Sequence, residues 1–326
     1  ASCSMNGLQV ITCASGKDGI LSLAEVERKM NDQVAAIMIT NPNTLGKFEK
    51  QIVEIARVVH ERGGLVYADG ANLNSFMGWG DVAKMGVDAM HINLHKTFST
   101  PHGGGGPGAG PIVVTPALEP FLPVPRVLRR GDCYRLDSAF AKTIGKVHGF
   151  SGNFGVLLRA WTYIRELGPD GVREVAARAV TNANYLRCLV EEHYHVPHSS
   201  GCMHEFVATD KNLKNSVHTS HVAKRLIDYG FHPPTVYFPL IIKGAMMIEP
   251  TETESKETLE AFAEAMIAIA REAEECPEKV LEAPQHAIRG VLDEVRAARN
   301  PVLKWSPPRE NNSDDGNGDE TTRSRP

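Results

Sequence analysis

The chain has 326 residues, and its 35 basic and 39 acidic side chains give a formal net charge of −4. A nucleic-acid partner is not indicated, because such proteins usually carry a surplus of lysine and arginine. No stretch approaches the roughly 18 uninterrupted apolar residues of a membrane span, so a membrane partner is not expected either. The length is sufficient for one large core or two smaller ones.

The chain has six cysteines, which are scattered and lack any C-x-x-C or metal-ligand spacing: Cys3, Cys13, Cys133, Cys188, Cys202 and Cys276. This pattern predicts reduced thiols in a cytoplasmic protein, with no disulfide framework and no metal. The first residues, ASCSMNGLQV, contain neither a basic segment nor a long apolar segment, so they do not resemble a secretion signal. Because they also lack an initiating Met, we expect an internal start.

Predicted strands and helices alternate through the first third of the chain. Ser22 and Glu25 form a capping-box pattern that opens the first helix. The run VAAIMIT at 34–40 is continuously apolar, which is typical of a strand buried on both faces. This alternation predicts an α/β layer with a mainly parallel sheet. The predicted strands are 8–13, 34–40, 65–69 and 88–93, and the predicted helices are 22–31, 48–62 and 81–86, the last capped by Asp81.

After Pro111 the order of elements changes to an α+β pattern. The predicted strands are 112–115, 204–209, 235–242 and 245–249, and the predicted helices are 155–167, 172–192, 218–229, 255–275 and 286–298, with a proline-rich excursion at 118–130. We therefore expect a large domain at 1–165 and a small C-terminal domain at 166–305. Residues 306–326 are too polar to fold and are predicted to form a disordered tail.

The stretch from Asp88 to Pro111 carries the strongest chemical signal. A short apolar run delivers His95 and Lys96, and six glycines then follow between Gly103 and Gly110. Such a glycine-rich loop contributes nothing to a hydrophobic core and costs conformational entropy on folding. Its usual role is either to bring backbone N–H groups close to an anion or to act as a mobile segment. We hypothesise that Lys96 carries pyridoxal phosphate as a Schiff base.

Asp69 is the predicted partner of this lysine. It ends the strand LVYAD, and ligands of doubly wound sheets bind beyond the carboxyl ends of the strands. A pyridine cofactor needs a carboxylate at its ring nitrogen and a lysine at its aldehyde carbon. His95 and His102, which flank the lysine and the glycines, are also assigned to the site, whereas His91 is interpreted as a core or interface histidine.

The sequence does not indicate a dinucleotide site. Gly103 to Gly108 formally matches G-x-G-x-x-G, but Pro107 lies inside the match and the following PIVVT reads as a strand. The pyrophosphate of a dinucleotide needs a helix at that point.

Four segments carry a family resemblance: DGANLNSF, NLHKTFSTPHGGGGPGAGPI, GFHPPTVYFPL and MIEPTETESKETLE. They resemble the P-protein of the glycine cleavage system (glycine dehydrogenase, decarboxylating), most closely subunit 2 of the bacterial two-subunit form. The resemblance implies the fold type I of PLP-dependent transferases, an aspartate-aminotransferase-like large domain with a smaller α+β C-terminal domain. It implies Lys96 as the Schiff-base lysine, with Asp69 and His95 as catalytic partners. The implied cofactor contacts are Lys96, Asp69, Ala71, Thr40, Asn93, His95, Thr97 and His102.

The resemblance also implies an activity and partners. The family releases CO2 from glycine and transfers the aminomethyl group to the lipoyl arm of H-protein, and subunit 2 pairs with subunit 1, as a heterotetramer. Family members have roughly two hundred further residues ahead of this start, on the length argument, including a histidine segment (S-A-H-G-T-N-P) against the cofactor. The chain is thus expected to hold the half of the site that carries the lysine and to lack the half that stacks against the cofactor.

Several alternatives stay open from the sequence. One alternative is another fold-type-I PLP enzyme, such as an aminotransferase. The other is a non-catalytic subunit or fragment of the complex. The glycine loop is either a phosphate cradle or a mobile lid.

Overall fold

The computed structural model describes residues 2–103, 108–150 and 152–307. Its main sheet has the order β1-β2-β3-β4, in which the first three strands are parallel and β4 is antiparallel to β3. A hairpin, β5-β6, and a three-stranded antiparallel sheet, β7-β9-β8, follow. The strands are β1 (Ala36–Thr40), β2 (Leu65–Gly70), β3 (Ala89–Ile92), β4 (Ile112–Val114), β5 (Arg126–Arg130), β6 (Cys133–Asp137), β7 (Phe206–Thr209), β8 (Thr235–Val236) and β9 (Ala245–Ile248).

The helices differ widely in length. The longest has a non-helical Gly168 followed by Pro169, so it consists of two helical segments joined at a kink. The sequence predicted these two segments as separate helices. The helices are α1 (Ser2–Met5), α2 (Leu23–Lys29), α3 (Ile52–Glu61), α4 (Leu94–Thr97), α5 (Phe154–Val190), α6 (Thr219–Asp228), α7 (Lys256–Glu275), α8 (Glu278–Leu281) and α9 (Glu294–Arg299).

The parallel sheet packs one face against α3. Ile55 and Val59 of this helix are fully buried and pack with Val66 of β2 in one hydrophobic core. The predicted start of α2 is confirmed, because the Ser22 side chain accepts a hydrogen bond from the backbone N–H of Glu25 at 3.2 Å. The apolar periodicity of the sequence therefore located this layer correctly.

Three predictions for this layer are wrong. The β1 strand is buried on one face only: Ile37 and Ile39 pack into the core with α3, whereas Met38 on the opposite face is 57% exposed. Residues 8–13 do not form a strand, because none of the described strands pairs with them. Residues 81–86 form turns in place of a helix, in which the Asp81 side chain accepts hydrogen bonds from the N–H groups of Ala83 and Lys84.

The second core lies between the β7-β9-β8 sheet and the helices α5, α6, α7 and α8. Tyr194, Phe206 and Met246 are fully buried in it. The Tyr194 hydroxyl donates a hydrogen bond to the backbone carbonyl of Met266 in α7, so its one polar atom is satisfied.

The C-terminal elements are shorter than predicted in two places. Only Thr235–Val236 of the predicted strand 235–242 pairs with β9. The predicted helix 286–298 begins only at Glu294, where Asp293 caps it. The sequence also missed the β5-β6 hairpin, because its polar, exposed strands lack an apolar face.

The two cores are consistent with the predicted division into residues 1–165 and 166–305, which stays a prediction. A contact links the halves at α5, where the Trp79 indole N–H donates a hydrogen bond to the Arg173 carbonyl at 3.0 Å. Within the described ranges, no helix is both long and apolar enough to cross a membrane. Of the predicted tail, residues 308–326 lie outside the described residues.

Candidate cofactor site

Three polar residues meet at the carboxyl edge of the parallel sheet. The strand register places Asp69 of β2 opposite Thr40 of β1 on one side and opposite His91 of β3 on the other. Because the carboxyl ends of parallel strands lie at the same edge, this is where a ligand of an α/β sheet binds.

The Asp69 carboxylate is held by its neighbours. Its Oδ1 accepts a hydrogen bond from the Ala71 backbone N–H at 2.9 Å and lies 3.1 Å from His91 Nε2. The other ring nitrogen of His91 is hydrogen-bonded to the Tyr67 hydroxyl at 2.9 Å, and the Tyr67 and His91 rings stack with centroids 5.7 Å apart. Burial, followed by the charge of Asp69, raises the pKa of Tyr67. Asp69 is therefore fixed in position by a chain of polar contacts.

Lys96 lies in the short helix α4 directly beyond β3. The Asn93 carbonyl accepts hydrogen bonds from the backbone N–H groups of Lys96 and Thr97, both at 3.1 Å. Lys96 is exposed, whereas Thr97 is buried and its hydroxyl has no hydrogen-bond partner among the described residues. The lysine side chain therefore remains available for chemistry at the edge where Asp69 lies.

His95 and His102, which the sequence assigned to the site without predicting a contact, lie against each other. Their ring centroids are 4.0 Å apart, and an added Cβ at Gly108 would lie 3.0 Å from the His95 ring. Burial, followed by the charges of His102 and Lys96, lowers the pKa of His95. The imidazole of His95 is therefore neutral at physiological pH. Residues 104–107 of the glycine loop lie outside the described residues, so both proposed roles of the loop stay predictions.

The predicted site residues fall into two groups at one edge of the sheet. Thr40, Asp69 and Ala71 lie at the ends of β1 and β2, and the second group follows β3: Asn93, His95, Lys96, Thr97 and His102. Among the described residues no ion pair joins Asp69 to Lys96. The assignment of these residues to a cofactor stays a prediction.

Sequence reasoning missed a group of ionisable residues from the C-terminal half, His204, Glu205 and Glu249. His204 Nε2 lies 3.8 Å from Glu205 Oε1 and 3.6 Å from Glu249 Oε1. Two asparagines of the segment DGANLN contact this group, since Asn72 donates to Glu205 and Asn74 donates to Glu249. The one available signal was that MIEPTE stood out in the sequence without an assigned role, whereas Asp69 and Ala71 of DGANLN were assigned to the cofactor.

The group has unusual electrostatics and lies near Lys96. Burial, followed by the charge of Glu249, raises the pKa of Glu205 to about 8 against the opposing charge of Lys96. Burial also raises the pKa of Glu249, while a hydrogen bond from Asn74 and the charge of Lys96 lower it. Burial, followed by the charge of Lys96, lowers the pKa of His204 to about 3. The positive charge of Lys96 thus acts on all three residues.

The residues at the sheet edge fit pyridoxal phosphate by their chemistry. A positioned carboxylate, Asp69, suits a protonated ring nitrogen, and an accessible amine, Lys96, suits an aldehyde carbon. Ala71 is small, and its backbone N–H orients the Asp69 carboxylate.

Comparisons with known proteins agree with the fold. The sequence profile of the family "Aminotransferase class-V" matches residues 2–106, and that of "Glycine dehydrogenase, C-terminal domain" matches residues 175–291. A crystal structure of glycine decarboxylase (P-protein) of the glycine cleavage system in inhibitor-bound form is similar, with a TM-score of 0.67 and 23% identity over 81% of this chain and 60% of that one. The apo structure of cysteine desulfurase from Thermococcus onnurineus NA1 is similar with a TM-score of 0.63 and 16% identity, over 82% and 68% of the two chains. The predicted fold class, fold type I, is confirmed.

Curated relatives give the closer similarity. The chain is 53% identical over 306 residues to the probable glycine dehydrogenase (decarboxylating) subunit 2 of Staphylococcus haemolyticus, covering 94% of this chain and 62% of the relative. It is 54% identical over 307 residues to the protein of the same description from Caldanaerobacter subterraneus subsp. tengcongensis, covering 94% and 63%. The chain thus spans less than two thirds of the length of these relatives.

Proposed function

Because the chain belongs to the glycine dehydrogenase (decarboxylating) family over the 94% of its length that these relatives match, we propose that it forms the lysine-bearing part of a PLP-dependent glycine decarboxylase. The observation that carries this proposal is that Asp69 lies at the carboxyl end of β2 and Lys96 just beyond the carboxyl end of the neighbouring parallel strand β3. The proposed reaction releases CO2 from glycine and passes the aminomethyl group to the lipoyl arm of a carrier protein.

Each proposed role follows from the chemistry of the side chain. Asp69 holds a proton at the cofactor ring nitrogen, and its contacts with Ala71 and His91 keep the carboxylate in place. Lys96 holds the cofactor through its amine and, once released, moves a proton. Pyridoxal phosphate, when bound, supplies the electron sink for the charge left by the departing CO2. His95, neutral at physiological pH, accepts or donates a hydrogen bond beside Lys96.

The proposed partners follow from the relatives. Their description as subunit 2 supports a partner subunit for this chain. We propose that subunit 1 and a lipoylated H-protein complete the assembly, with glycine as the substrate.

The first test traps the cofactor on the chain. Borohydride reduction in the presence of PLP, followed by peptide mapping, is expected to label Lys96. Lys84, whose side chain is 86% exposed and lies in a turn away from the edge, is the internal control for non-specific labelling. Label on Lys84 or Lys142 and none on Lys96 contradicts the site.

The second test separates decarboxylation from transamination, the alternative that the class-V match favours. Glycine–bicarbonate exchange is measured with this chain, subunit 1 of a related complex and lipoylated H-protein. CO2 exchange that requires the lipoyl carrier supports the proposal, whereas amino transfer to a keto acid without exchange favours an aminotransferase. Neither activity, with Lys96 labelled, would favour a non-catalytic subunit.

A further inference from the structure

We infer that His204, Glu205 and Glu249 form a binding site for a divalent transition-metal ion, for which Zn²⁺ is the probe. One ligand atom of each residue, the imidazole nitrogen or a carboxylate oxygen, lies within 4.8 Å of the others. The inference concerns a different group of residues from the proposed cofactor contacts and does not depend on the proposed function.

The first observation is the strand register. Phe206 of β7 pairs with Ile248 of β9, so the antiparallel ladder brings Glu205 and Glu249 opposite one another at the end of the sheet. Like charges directly opposite on paired strands are destabilising. Glu205 is 1% exposed, so ionising both carboxylates together is unfavourable without a counter-charge. A cation between the two carboxylates would supply that counter-charge.

The second observation is the state of His204. This side chain is completely buried, and neither of its ring nitrogens has a hydrogen-bond partner within the described ranges. Buried polar groups nearly always have a partner, because leaving one unsatisfied forfeits its hydration with nothing in return. The Nε2 atom faces both carboxylates at 3.6 and 3.8 Å, which is too long for a hydrogen bond.

The two distances from His204 suit ligands around one ion, and the remaining pair of ligand atoms, on Glu205 and Glu249, lies within 4.8 Å. Two atoms bound to Zn²⁺ at about 2.1 Å in a tetrahedral arrangement lie about 3.4 Å apart. The observed 3.6 and 3.8 Å therefore need only a small inward movement of the side chains. Glu249, whose side chain is 38% exposed, provides the solvent-facing side through which an ion enters.

Neighbouring asparagines support the two carboxylates. Asn72 Nδ2 lies 3.3 Å from Glu205 Oε1, and Asn74 Nδ2 lies 3.2 Å from Glu249 Oε1. Outer hydrogen bonds of this kind orient metal-binding carboxylates. An imidazole ligand favours a transition metal such as Zn²⁺ over Mg²⁺ or Ca²⁺, which prefer oxygen ligands alone. The ion would tie the segment after β2 to the C-terminal sheet.

The experiment is a calorimetric titration of the chelator-treated 326-residue chain with ZnCl₂ alone, without PLP. One equivalent is expected to bind and to raise the melting temperature, and Mg²⁺ at the same concentration is not expected to do either. Glu249→Gln keeps the shape of a partly exposed side chain and should weaken Zn²⁺ binding by about tenfold or more. Glu205→Gln should also weaken Zn²⁺ binding. If Glu205→Gln fails to fold, because Glu205 is buried, the effect of Glu249→Gln is the test.

A surface group supplies the matched control. His218, His221 and Asp210 lie close together, with His218 Nδ1 3.5 Å from the Asp210 carboxylate. His218→Asn is expected to leave the one-equivalent binding unchanged. The inference is overturned if the wild-type chain binds no stoichiometric Zn²⁺, if Mg²⁺ binds equally well, or if His218→Asn abolishes binding while Glu249→Gln does not. If the wild-type chain binds no stoichiometric Zn²⁺, His204, Glu205 and Glu249 instead balance their charges by sharing protons.

Discussion

At the scale of single residues, the position of Asp69 depends on groups that sequence reasoning assigned to the core. His91 lies across the strand pair from Asp69, with Nε2 3.1 Å from Oδ1, and is itself hydrogen-bonded to Tyr67. His91 is only partly buried, so it contacts both the core and the open edge of the sheet. A carboxylate held from two sides needs little reordering when it binds a ligand.

We predict that His91→Phe weakens PLP binding roughly two- to tenfold, because the ring is retained while the polar contact with Asp69 is lost. The titration follows the visible absorbance of the bound cofactor. Tyr67→Phe is the matched variant: it removes only the outer hydroxyl and leaves the His91–Asp69 contact in place, so its effect should be smaller. Equal affinities in all three proteins would show that His91 does not position Asp69.

At the scale of elements, the turn that follows β1 is joined closely to the C-terminal sheet. Gly46 has a φ of +71°, and a Cβ placed there would lie 1.8 Å from the backbone oxygen of Glu205. The Gly46 carbonyl also accepts a hydrogen bond from the Met203 N–H at 2.7 Å. Only glycine satisfies both the left-handed backbone and this close approach.

We predict that Gly46→Ala destabilises the chain more than Gly63→Ala does. Gly63 has a similar φ of +78°, but no described atom lies within 4 Å of its added Cβ. The control should cost about 1–2 kcal/mol for the backbone conformation alone. Overlap with Glu205 should add about 1–3 kcal/mol to the cost of Gly46→Ala. Urea unfolding measures both, and equal losses would mean that the turn moves away freely.

The helices α6 and α7 are joined by a charged pair. Arg225 donates through Nε and Nη2 to the two oxygens of Glu272, each at 2.9 Å, and through Nη1 to Asp228 at 3.1 Å. The hydrogen bond with Arg225 lowers the pKa of Glu272, against the opposing effect of burial. This carboxylate therefore stabilises the fold above its ordinary pKa of 4.5, and the stabilisation is lost as the pH falls through the lower value of the folded state.

We predict that Glu272→Gln lowers the free energy of unfolding at pH 7 by about 1–3 kcal/mol, and that this difference shrinks on acidification below pH 4.5. Glu174→Gln is the control, because Glu174 pairs with Arg178 on an exposed helix surface. It should change stability by no more than about 0.5 kcal/mol. A Glu272→Gln loss that stays constant from pH 7 into the acid range would contradict the pKa argument.

At the scale of the whole molecule, the first segment of α5 exposes an apolar stripe. Phe154, Trp161 and Leu158 are 77%, 60% and 48% exposed, and Leu157 and Ile164 continue the same helix face. Spacings of three and four residues place such side chains together on a helix. Contiguous exposed apolar patches of this kind mark surfaces that associate.

We predict that the isolated chain self-associates through this stripe and that Phe154→Lys combined with Trp161→Lys reduces the association. Val53→Lys, which replaces a single exposed apolar residue on α3, should have no such effect. Sedimentation velocity across a range of concentrations measures the outcome. Association that persists in the double variant would place the contact elsewhere.

Apart from the absent strand 8–13, the absent helix 81–86 and the missed β5-β6 hairpin, the sequence alone determined the order of the main elements, and it marked the candidate chemistry. The capping residues Ser22 and Ser255 and the apolar face of α3 are local signals, each read within a few residues of the chain. The strand-end rule then brought Asp69 and Lys96 to one edge, because it needs only the direction of neighbouring strands.

Only the tertiary structure decided which surfaces are covered and which distant side chains meet. The exposure of Met38 depends on which face of β1 the rest of the fold covers, and no periodicity within the strand reveals this. Asn72 and Glu205 are 133 positions apart, and their contact depends on how the segment after β2 packs against the C-terminal sheet. The opposition of Glu205 and Glu249 likewise follows from strand register, which is fixed by packing and lies beyond any local pattern.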